Sequence, residues 1–224
     1  GRVSVLYPGV EERFRRVEDR EALARVRARY GLPPRFVLGL GTLQPRKNFE
    51  GLVEAFRHLV ESEPGLADLW LVIAGGKGWL YDELLALAGR YGVEERVLFP
   101  GFVDDEALPA LYSLASALAF PSWYEGFGLP VLEALACGTP VVAADNSSLP
   151  EAVGDAGLLI DAADVAGLAS ALGRLLLDEE LRAQLREAGY RQARRFTWEA
   201  AARQLLALYE EHCSVPGADR GPVH

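Results

Sequence analysis

The feature that most constrains this fold is a regular alternation of short apolar runs with longer amphipathic segments. Such alternation is typical of βαβ units, in which parallel strands are connected by helices. Because most of the runs are apolar throughout, helices are expected to cover both faces of the sheet. The sequence therefore predicts an α/β protein with a Rossmann-like open parallel sheet of about six strands and helices on both faces.

The apolar runs and the segments between them give approximate element boundaries. The predicted strands are Phe36–Leu40, Leu69–Ala74, Val97–Phe99, Ala117–Phe120, Pro140–Ala143 and Leu158–Ile160. The predicted helices are Glu50–Val60, Leu80–Tyr91, Pro109–Leu114, Pro130–Ala136, Val165–Leu177 and Glu179–Arg194. Gly138 is expected to end its helix, because glycine takes the left-handed conformation at low cost.

The two ends of the chain differ from this core. Residues Val3–Tyr7 resemble a strand without a partner inside the domain, and Glu11–Tyr30 form an arginine- and glutamate-rich helix or linker. Thr197 is expected to cap a last helix. The predicted organisation is an interdomain strand and linker at 1–30, a Rossmann-like domain at 31–196, a C-terminal helix at 197–213 and a disordered tail at 214–224.

Composition excludes several classes of function. A net charge of -9 argues against a nucleic-acid partner, which would need clustered basic residues. No apolar run approaches the roughly 20 residues that span a bilayer. The two cysteines do not form a disulfide framework, and none of the three histidines has metal-ligand spacing, so no metal site is predicted. The absence of methionine suggests a piece of a longer protein.

Four unusual loops follow predicted strands. They are Gly41–Asn48, Gly75–Gly78, Gly101–Val103 and Pro121–Leu129. Open α/β sheets bind ligands beyond the carboxyl ends of their strands, so these loops are expected at one ligand-binding edge. Two familiar nucleotide motifs are excluded, because Gly39 and Gly41 lack the third glycine of a dinucleotide fingerprint and no GxxxxGK[ST] loop exists.

The last of these loops carries the most informative spacing. Glu125 and Glu133 are eight positions apart and bracket Gly126, Gly128 and Pro130. A strand, a glycine loop and a helix in this order aim free amides at an anion, with a carboxylate on either side. This pattern predicts a site for a sugar diphosphate, with one acid on the sugar and the other on the ribose. A single glutamate on a helix is more often a solvated surface residue. The helix of Glu133 is largely apolar, however, so its carboxylate needs polar partners, which ribose hydroxyls would supply.

Lysine is rare, and both lysines lie in loops after predicted strands. Lys47 opens a helix, where a cation is disfavoured unless an anion is present, so a phosphate role is the economical interpretation. Lys77 is as consistent with a surface position as with the site.

These residues carry a resemblance. The segment EGFGLPVLEALACG (Glu125–Gly138) resembles the C-terminal, donor-binding domain of GT-B-fold retaining glycosyltransferases of family 4, also called group 1. The likeness covers about Phe36–Arg195. PRKN, AGGKGW and PSWYEGFGLP are most similar to bacterial mannosyltransferases of polysaccharide assembly.

The resemblance implies roles for individual residues. Lys47 and Glu125 would be catalytic, with Lys47 neutralising the leaving diphosphate and Glu125 binding sugar hydroxyls. Glu133 would hold the ribose. Many relatives carry arginine at the place of Thr42, which leaves Arg46 or Lys77 as the second phosphate cation. The implied donor-binding residues are Gly41, Arg46, Gly75, Gly76, Lys77, Val103, Tyr124, Gly126, Phe127, Gly128, Leu129 and Glu133.

The resemblance also implies an activity. The chain would be one half of a GT-B fold that transfers a hexose, with mannose favoured, from a nucleoside diphosphate sugar to an acceptor hydroxyl. GDP-mannose is the favoured donor and a UDP-sugar the alternative, with no cofactor and no metal. A missing N-terminal domain would hold the acceptor, so the isolated chain would bind without turnover. The implied location is cytoplasmic, with the inner face of the membrane as a further option. The alternatives are a stand-alone nucleotide-sugar-binding module and a non-catalytic interaction domain.

Overall fold

The computed structural model describes residues 3–76 and 81–213. The strands are β1 Phe36–Leu40, β2 Trp70–Ala74, β3 Val97–Gly101, β4 Ala117–Phe120, β5 Val141–Ala144 and β6 Gly157–Ile160. The α-helices of this part are α1 Arg20–Tyr30, α2 Phe49–Ser62, α3 Tyr81–Arg90, α4 Leu108–Leu114, α5 Leu129–Ala136, α6 Leu149–Val153, α7 Val165–Leu177, α8 Glu179–Ala193 and α9 Trp198–Cys213.

The six strands form one parallel sheet in the order β3-β2-β1-β4-β5-β6. The register pairs Leu38 with Val72 on one side of β1 and with Leu118 on the other. From β1 the chain builds outward through β2 and β3, and it then returns to add β4, β5 and β6 on the opposite side. The predicted Rossmann-like sheet is confirmed.

Each face of the sheet carries its own hydrophobic core. On β1, Phe36 and Leu38 point to the core that contains α4, α5 and α6, whereas Val37 points to the core that contains α2, α3 and α7. The same alternation continues on β4, where Leu118 and Ala119 belong to opposite cores. Both faces are therefore buried, as the continuous apolar runs of the sequence predicted.

The structure corrects the predicted ends. No strand forms at residues 3–7, because this segment has no neighbouring strand edge to pair with. Of the segment predicted as a helix or linker, residues 20–30 form the helix α1, capped by Asp19, whose side chain accepts hydrogen bonds from the Glu21 and Ala22 amides. Helix α6 was not predicted, because its five residues are too few for a periodic pattern. The predicted tail at 214–224, Lys77 and the predicted helix start at Leu80 lie outside the described residues.

The last helix begins as expected. The Ala200 amide donates to the Thr197 hydroxyl oxygen at 3.1 Å, which caps α9. Its apolar stripe is exposed, since Trp198 and Tyr209 keep 54% and 57% of their surface. Among the helices of the described residues, none is long and apolar enough to cross a membrane.

Two glycines let the first two strands end in close contact. Gly41 follows β1 with φ 144°, and Gly75 follows β2 with φ 152°. The Gly41 amide donates to the Ala74 carbonyl oxygen at 2.9 Å. A Cβ atom on Gly75 would lie 1.9 Å from the Gly41 carbonyl oxygen, so no side chain fits there. The loops that follow β1 and β2 therefore begin in direct backbone contact with each other.

The substitution Gly75→Ala tests this contact. It forces a steric clash and a strained backbone, so we expect the free energy of unfolding to fall by about 2 kcal/mol or more. The neighbouring change Gly76→Ala is the matched control, because nothing lies within 4 Å of its added Cβ atom. Urea unfolding of the two variants checks the difference. Equal stability would contradict the close approach.

Candidate functional site

The candidate site lies where the sheet order reverses. β1 and β4 are neighbours in the sheet, but the connections that leave their carboxyl ends run to opposite sides. Diverging connections open a crevice at this edge, which is where open α/β sheets bind ligands. Lys47 follows β1 and Glu125 follows β4, so the two charged residues predicted to act together lie on either side of the crevice.

A short turn after β1 turns the Lys47 side chain into the protein. Residues Pro45–Lys47 form a 3-10 turn with proline at its start, and Asn48 then takes a left-handed conformation with φ 54°. The Asn48 side-chain amide donates to the carbonyl oxygens of Pro121 at 3.1 Å and Ala162 at 2.8 Å. These two bonds fix the turn to the loops after β4 and β6. As a result, Lys47 is only 8% exposed.

Two cations meet one carboxylate at the crevice. Lys47 Nζ lies 2.7 Å from Glu125 Oε1, and Arg46 Nη1 lies 2.7 Å from Glu125 Oε2. Arg46 also donates to the Tyr124 carbonyl oxygen at 2.7 Å. Among the described residues neither cation forms another ion pair. We call Arg46, Lys47 and Glu125 the switch-point cluster. It carries one positive charge in excess, so it is suited to an anion.

The Glu125 carboxyl is held ionised. Burial alone would raise its pKa, but hydrogen bonds from Lys47 and Arg46 and the charge of Lys47 outweigh the burial. The pKa of Glu125 therefore lies below its ordinary value. A carboxylate in this state accepts hydrogen bonds, and it is fixed in place by its two cations.

The glycine loop that carries Glu125 is braced by the residues after β5. The Glu125 amide donates to the Ser147 hydroxyl oxygen at 3.1 Å, and the Ser148 hydroxyl donates to the Glu125 carbonyl oxygen at 3.2 Å. The Asn146 side chain donates to the Ser122 carbonyl oxygen at 3.0 Å. Glu125 is therefore held through its backbone as well as through its side chain.

Helix α5 begins directly at the end of this loop. Gly128 precedes it in a left-handed conformation with φ 96°, and no side chain caps the helix start. An added Cβ atom on Gly128 would lie 2.7 Å from the Leu149 side chain. Pro130 has no N–H, and the Val131 amide donates to the Gly128 carbonyl oxygen at 2.9 Å. The Leu129 amide is therefore the first-turn donor that can meet an external acceptor, and the helix dipole favours an anion there.

Glu133 lies on α5 in a different environment. Tyr112 of α4 is fully buried and donates its hydroxyl to Glu133 Oε2 at 2.7 Å. Burial raises the pKa of Glu133 above its ordinary value, although the Tyr112 hydrogen bond and the charge of Arg13 oppose that shift. The neighbouring acids Glu11 and Asp105 raise it further. Unlike Glu125, Glu133 has no cation within ion-pair distance among the described residues.

The ring of Phe127 connects the glycine loop to both ends of the domain. Its centroid lies 5.6 Å from that of Tyr7 and 5.4 Å from that of Phe196. Tyr7 and Phe196 pack edge to face at 5.7 Å, and the Tyr7 hydroxyl donates to Glu151 at 2.7 Å. This aromatic triad, Tyr7, Phe127 and Phe196, packs against the loop that carries Glu125.

The structure gathers most of the predicted residues at one edge. Gly41, Gly75, Gly76 and Val103 follow β1, β2 and β3, and the segment from Tyr124 to Leu129 follows β4. It brings Arg46, Lys47 and Glu125 into direct contact, and a Cβ atom on Gly41 would lie 2.8 Å from Lys47 Cε. Glu133 contacts Tyr112 instead. Thr42 is exposed, and Lys77 lies outside the described residues.

Sequence reasoning missed the residues that support the site. Asn48, Tyr112 and the segment Asn146–Ser148 were given no role, although each contacts a predicted site residue or its loop. Only the segment after β5 carried a usable signal, because three polar residues follow a buried strand at the ligand-binding edge. Tyr112 gave none, since a tyrosine on a short apolar helix is indistinguishable from a core residue.

Comparison with known proteins assigns most of the chain to one family. The family model described as glycosyl transferases group 1 matches residues 24–192. O-antigen chain mannosyltransferase B of Escherichia coli is 41% identical over 175 residues, which cover 78% of this chain and 45% of the relative. D-inositol 3-phosphate glycosyltransferase of Salinispora tropica is 41% identical over 222 residues, which cover 94% of this chain and 46% of the relative. The chain thus spans about half the length of the curated relatives it matches.

Solved structures agree with the fold. Sucrose-phosphate synthase from Thermosynechococcus elongatus is 32% identical with a TM-score of 0.80, covering 94% of this chain and 53% of that chain. Anabaena HepE, solved in complex with UDP and glucose, is 25% identical with a TM-score of 0.81, covering 93% and 57%.

The two acids should affect stability with opposite signs. Replacing Glu133 by glutamine removes the cost of ionising a buried carboxyl, so we expect Glu133→Gln to raise the free energy of unfolding at neutral pH. The gain shrinks as the pH falls through the raised pKa, and it vanishes below the ordinary value of 4.5. Glu125→Gln should instead destabilise the protein at neutral pH, and its loss shrinks as the pH falls through the lowered pKa.

Urea unfolding of both variants and the parent, from about pH 7 to about pH 3, checks these signs. The variants control for each other, because each exchanges one carboxylate for one amide. If both substitutions changed the free energy of unfolding in the same direction at neutral pH, the environments assigned to Glu125 and Glu133 would be wrong.

Proposed function

The chain belongs to the group 1 glycosyltransferase family, and on that premise we propose that it is the donor-binding half of a retaining enzyme. In this proposal the enzyme transfers a hexose, with mannose favoured, from a nucleoside diphosphate sugar to an acceptor hydroxyl. The observation that carries the proposal is the switch-point cluster, where two cations and one carboxylate meet beside an uncapped helix start. A diphosphate would supply the missing negative charge.

The cluster suits the bond-breaking step. Cleavage at the anomeric carbon places growing negative charge on the leaving diphosphate. Lys47, Arg46 and the first turn of α5 are fixed positive groups that stabilise this charge more in the transition state than in the ground state. Because Lys47 is buried and already oriented, little reorganisation is required. Many relatives carry an arginine at the position of Thr42 as a second phosphate-binding cation. In this chain Arg46 would take that role, and its side chain is 41% exposed.

Glu125 would position the sugar. Its carboxylate is ionised and can accept hydrogen bonds from sugar hydroxyls while it keeps its two cations. Glu133 would accept hydrogen bonds from the ribose, which would give its buried carboxylate a partner in addition to Tyr112. The glycine turns at Gly75 and Gly76, together with Val103, would border the base.

Mannose is favoured because the Escherichia coli relative is named as a mannosyltransferase. GDP-mannose is accordingly the proposed donor. A UDP-sugar is the alternative, since the HepE structure contains UDP and glucose. The acceptor site would belong to a further domain in the whole enzyme, which would work in the cytoplasm at the inner face of the membrane. This chain alone would bind donor without turnover.

A nucleotide panel tests the proposal. We expect a nucleoside diphosphate, and GDP before UDP, to raise the melting temperature of this chain, because ligand bound only to the native state stabilises it. Transfer of radiolabelled mannose should appear only when the rest of the enzyme is supplied. Binding without transfer under that condition would favour a stand-alone binding module. The absence of any nucleotide effect would favour a non-catalytic interaction domain.

Lys47→Ala should separate phosphate recognition from nucleoside recognition. Loss of a charge-assisted bond costs about 1.5–3 kcal/mol, so we expect affinity for the nucleoside diphosphate to fall roughly ten- to a hundredfold. Affinity for the free nucleoside should change little. Isothermal titration calorimetry measures both. Arg25→Gln is the charge-matched control, because Arg25 is 68% exposed and pairs only with Glu21 at 3.8 Å among the described residues.

Glu133→Gln should give the complementary result. A hydrogen bond to a carboxylate is worth about 1 kcal/mol more than one to a neutral group, so the variant should lose about fivefold in affinity. The loss should be equal for the nucleoside and its diphosphate, because the ribose is common to both. A loss confined to the diphosphate would remove Glu133 from the ribose position.

A further inference from the structure

A second charged cavity lies at the amino edge of the sheet. It has a volume of about 200 Å³, and its lining includes Arg16, Arg35, Arg182 and Arg186. Three of its lining residues, Arg35, Ser116 and Pro140, directly precede β1, β4 and β5. These strands are four or five residues long, so the cavity lies roughly 13–17 Å from the carboxyl edge. It is separate from the switch-point cluster.

The charge of this cavity is unusual for this chain. The protein has a net charge of -9, yet among the described residues four arginines line the cavity and no aspartate or glutamate does. Part of the reason is local, because helices that pack on a parallel sheet bring their carboxyl ends to this edge. Arg186 Nε donates to the Gly138 carbonyl oxygen at 3.1 Å, and Arg182 donates to the Leu176 carbonyl oxygen. Both bonds satisfy carbonyl groups at or just beyond the ends of α5 and α7.

Capping does not use all of the donors, however. A guanidinium group has five N–H donors, and in the described part of the chain Arg186 uses only Nε. Arg16 has no hydrogen bond or ion pair in that part. Arg35 is paired with Asp68 at 3.0 Å, and Arg182 lies 3.8 Å from Glu179. The positive charges of Arg16 and Arg186 are therefore uncompensated.

We propose that this cavity is a binding site for a small anion that carries a phosphate group, with Arg16 and Arg186 as its principal ligands. Planar guanidinium groups match the geometry of phosphate oxygens and bind them in pairs. Arg182, Arg186 and Arg35 are already oriented by backbone carbonyls, so little side-chain freedom is lost on binding. At about 200 Å³ the cavity is smaller than the roughly 300–1,000 Å³ of sites for larger ligands, which excludes a nucleotide sugar.

The same phosphate chemistry has two sources, namely a free phosphorylated metabolite and the headgroup of an anionic phospholipid. The concave shape and small volume favour the free anion, because a headgroup remains attached to a flat bilayer. Inorganic phosphate is the probe for the first source, and vesicles that contain phosphatidylglycerol are the probe for the second.

Isothermal titration of the chain with inorganic phosphate at constant ionic strength tests the proposal. We expect saturable binding that Arg16→Gln and Arg186→Gln each weaken, and that the double variant weakens roughly ten- to a hundredfold. Arg25→Gln removes the same charge from an exposed site and should leave the affinity unchanged. Arg16→Gln removes no hydrogen bond or ion pair of the described residues, so we expect it to change the stability of the fold little. Thermal unfolding of every variant confirms that the native state is retained.

Lys47→Ala distinguishes this site from the proposed donor site. Phosphate binding that persists in Lys47→Ala and is lost in the double arginine variant supports the second site, whether or not any nucleotide binds. Four results overturn it: no saturable binding, equal loss in Arg25→Gln, loss only in Lys47→Ala, or arginine-dependent binding of the vesicles without binding of free phosphate.

Discussion

The arrangement of the site depends on one buried ion pair at the reversal point of the sheet. Lys47 and Glu125 come from different halves of the fold, and each is held at 2.7 Å by the other. Burying two charges is costly unless they are paired and further hydrogen-bonded. The additional contacts supply that condition, since Arg46 joins the carboxylate, Phe120 lies under the ammonium at 4.7 Å, and Ser147 holds the Glu125 amide. The pair therefore joins the two loops, and the addition of Arg46 gives the cluster one positive charge in excess.

Glu125 and Glu133 are eight positions apart in the sequence, but their surroundings give them different physical roles. The negative charge of Glu125 is balanced by Lys47 and Arg46, so it stabilises the fold. Glu133 has a hydroxyl partner and no ion-paired cation among the described residues, so its charge is retained at a cost to stability. Because burial disfavours the ionised form of Glu133, a ligand that donates hydrogen bonds to this carboxylate would reduce that cost.

The sheet could be predicted almost completely from sequence, because each strand is an apolar run that must be buried on both sides. The positions of Lys47 and Glu125 at the carboxyl edge could also be predicted, because each follows a strand. Their roles toward a ligand stay predictions. The support around them could not be predicted. Asn48 acts through two backbone carbonyls from distant loops, and Tyr112 reaches Glu133 only because α4 packs beside α5. Such contacts depend on three-dimensional packing, which no local spacing records. The strand predicted at 3–7 failed for a related reason, because apolar alternation cannot supply a pairing partner.

The aromatic triad has a mechanical consequence. Tyr7 lies in the segment that enters the domain, and its ring rests on Phe127 in the same loop that carries Glu125. Tyr7 and Phe127 are in direct ring contact, so a displacement of Tyr7 would reach the glycine loop without passing through the sheet. The position of the glycine loop is in this way linked to the segment by which the chain enters the domain.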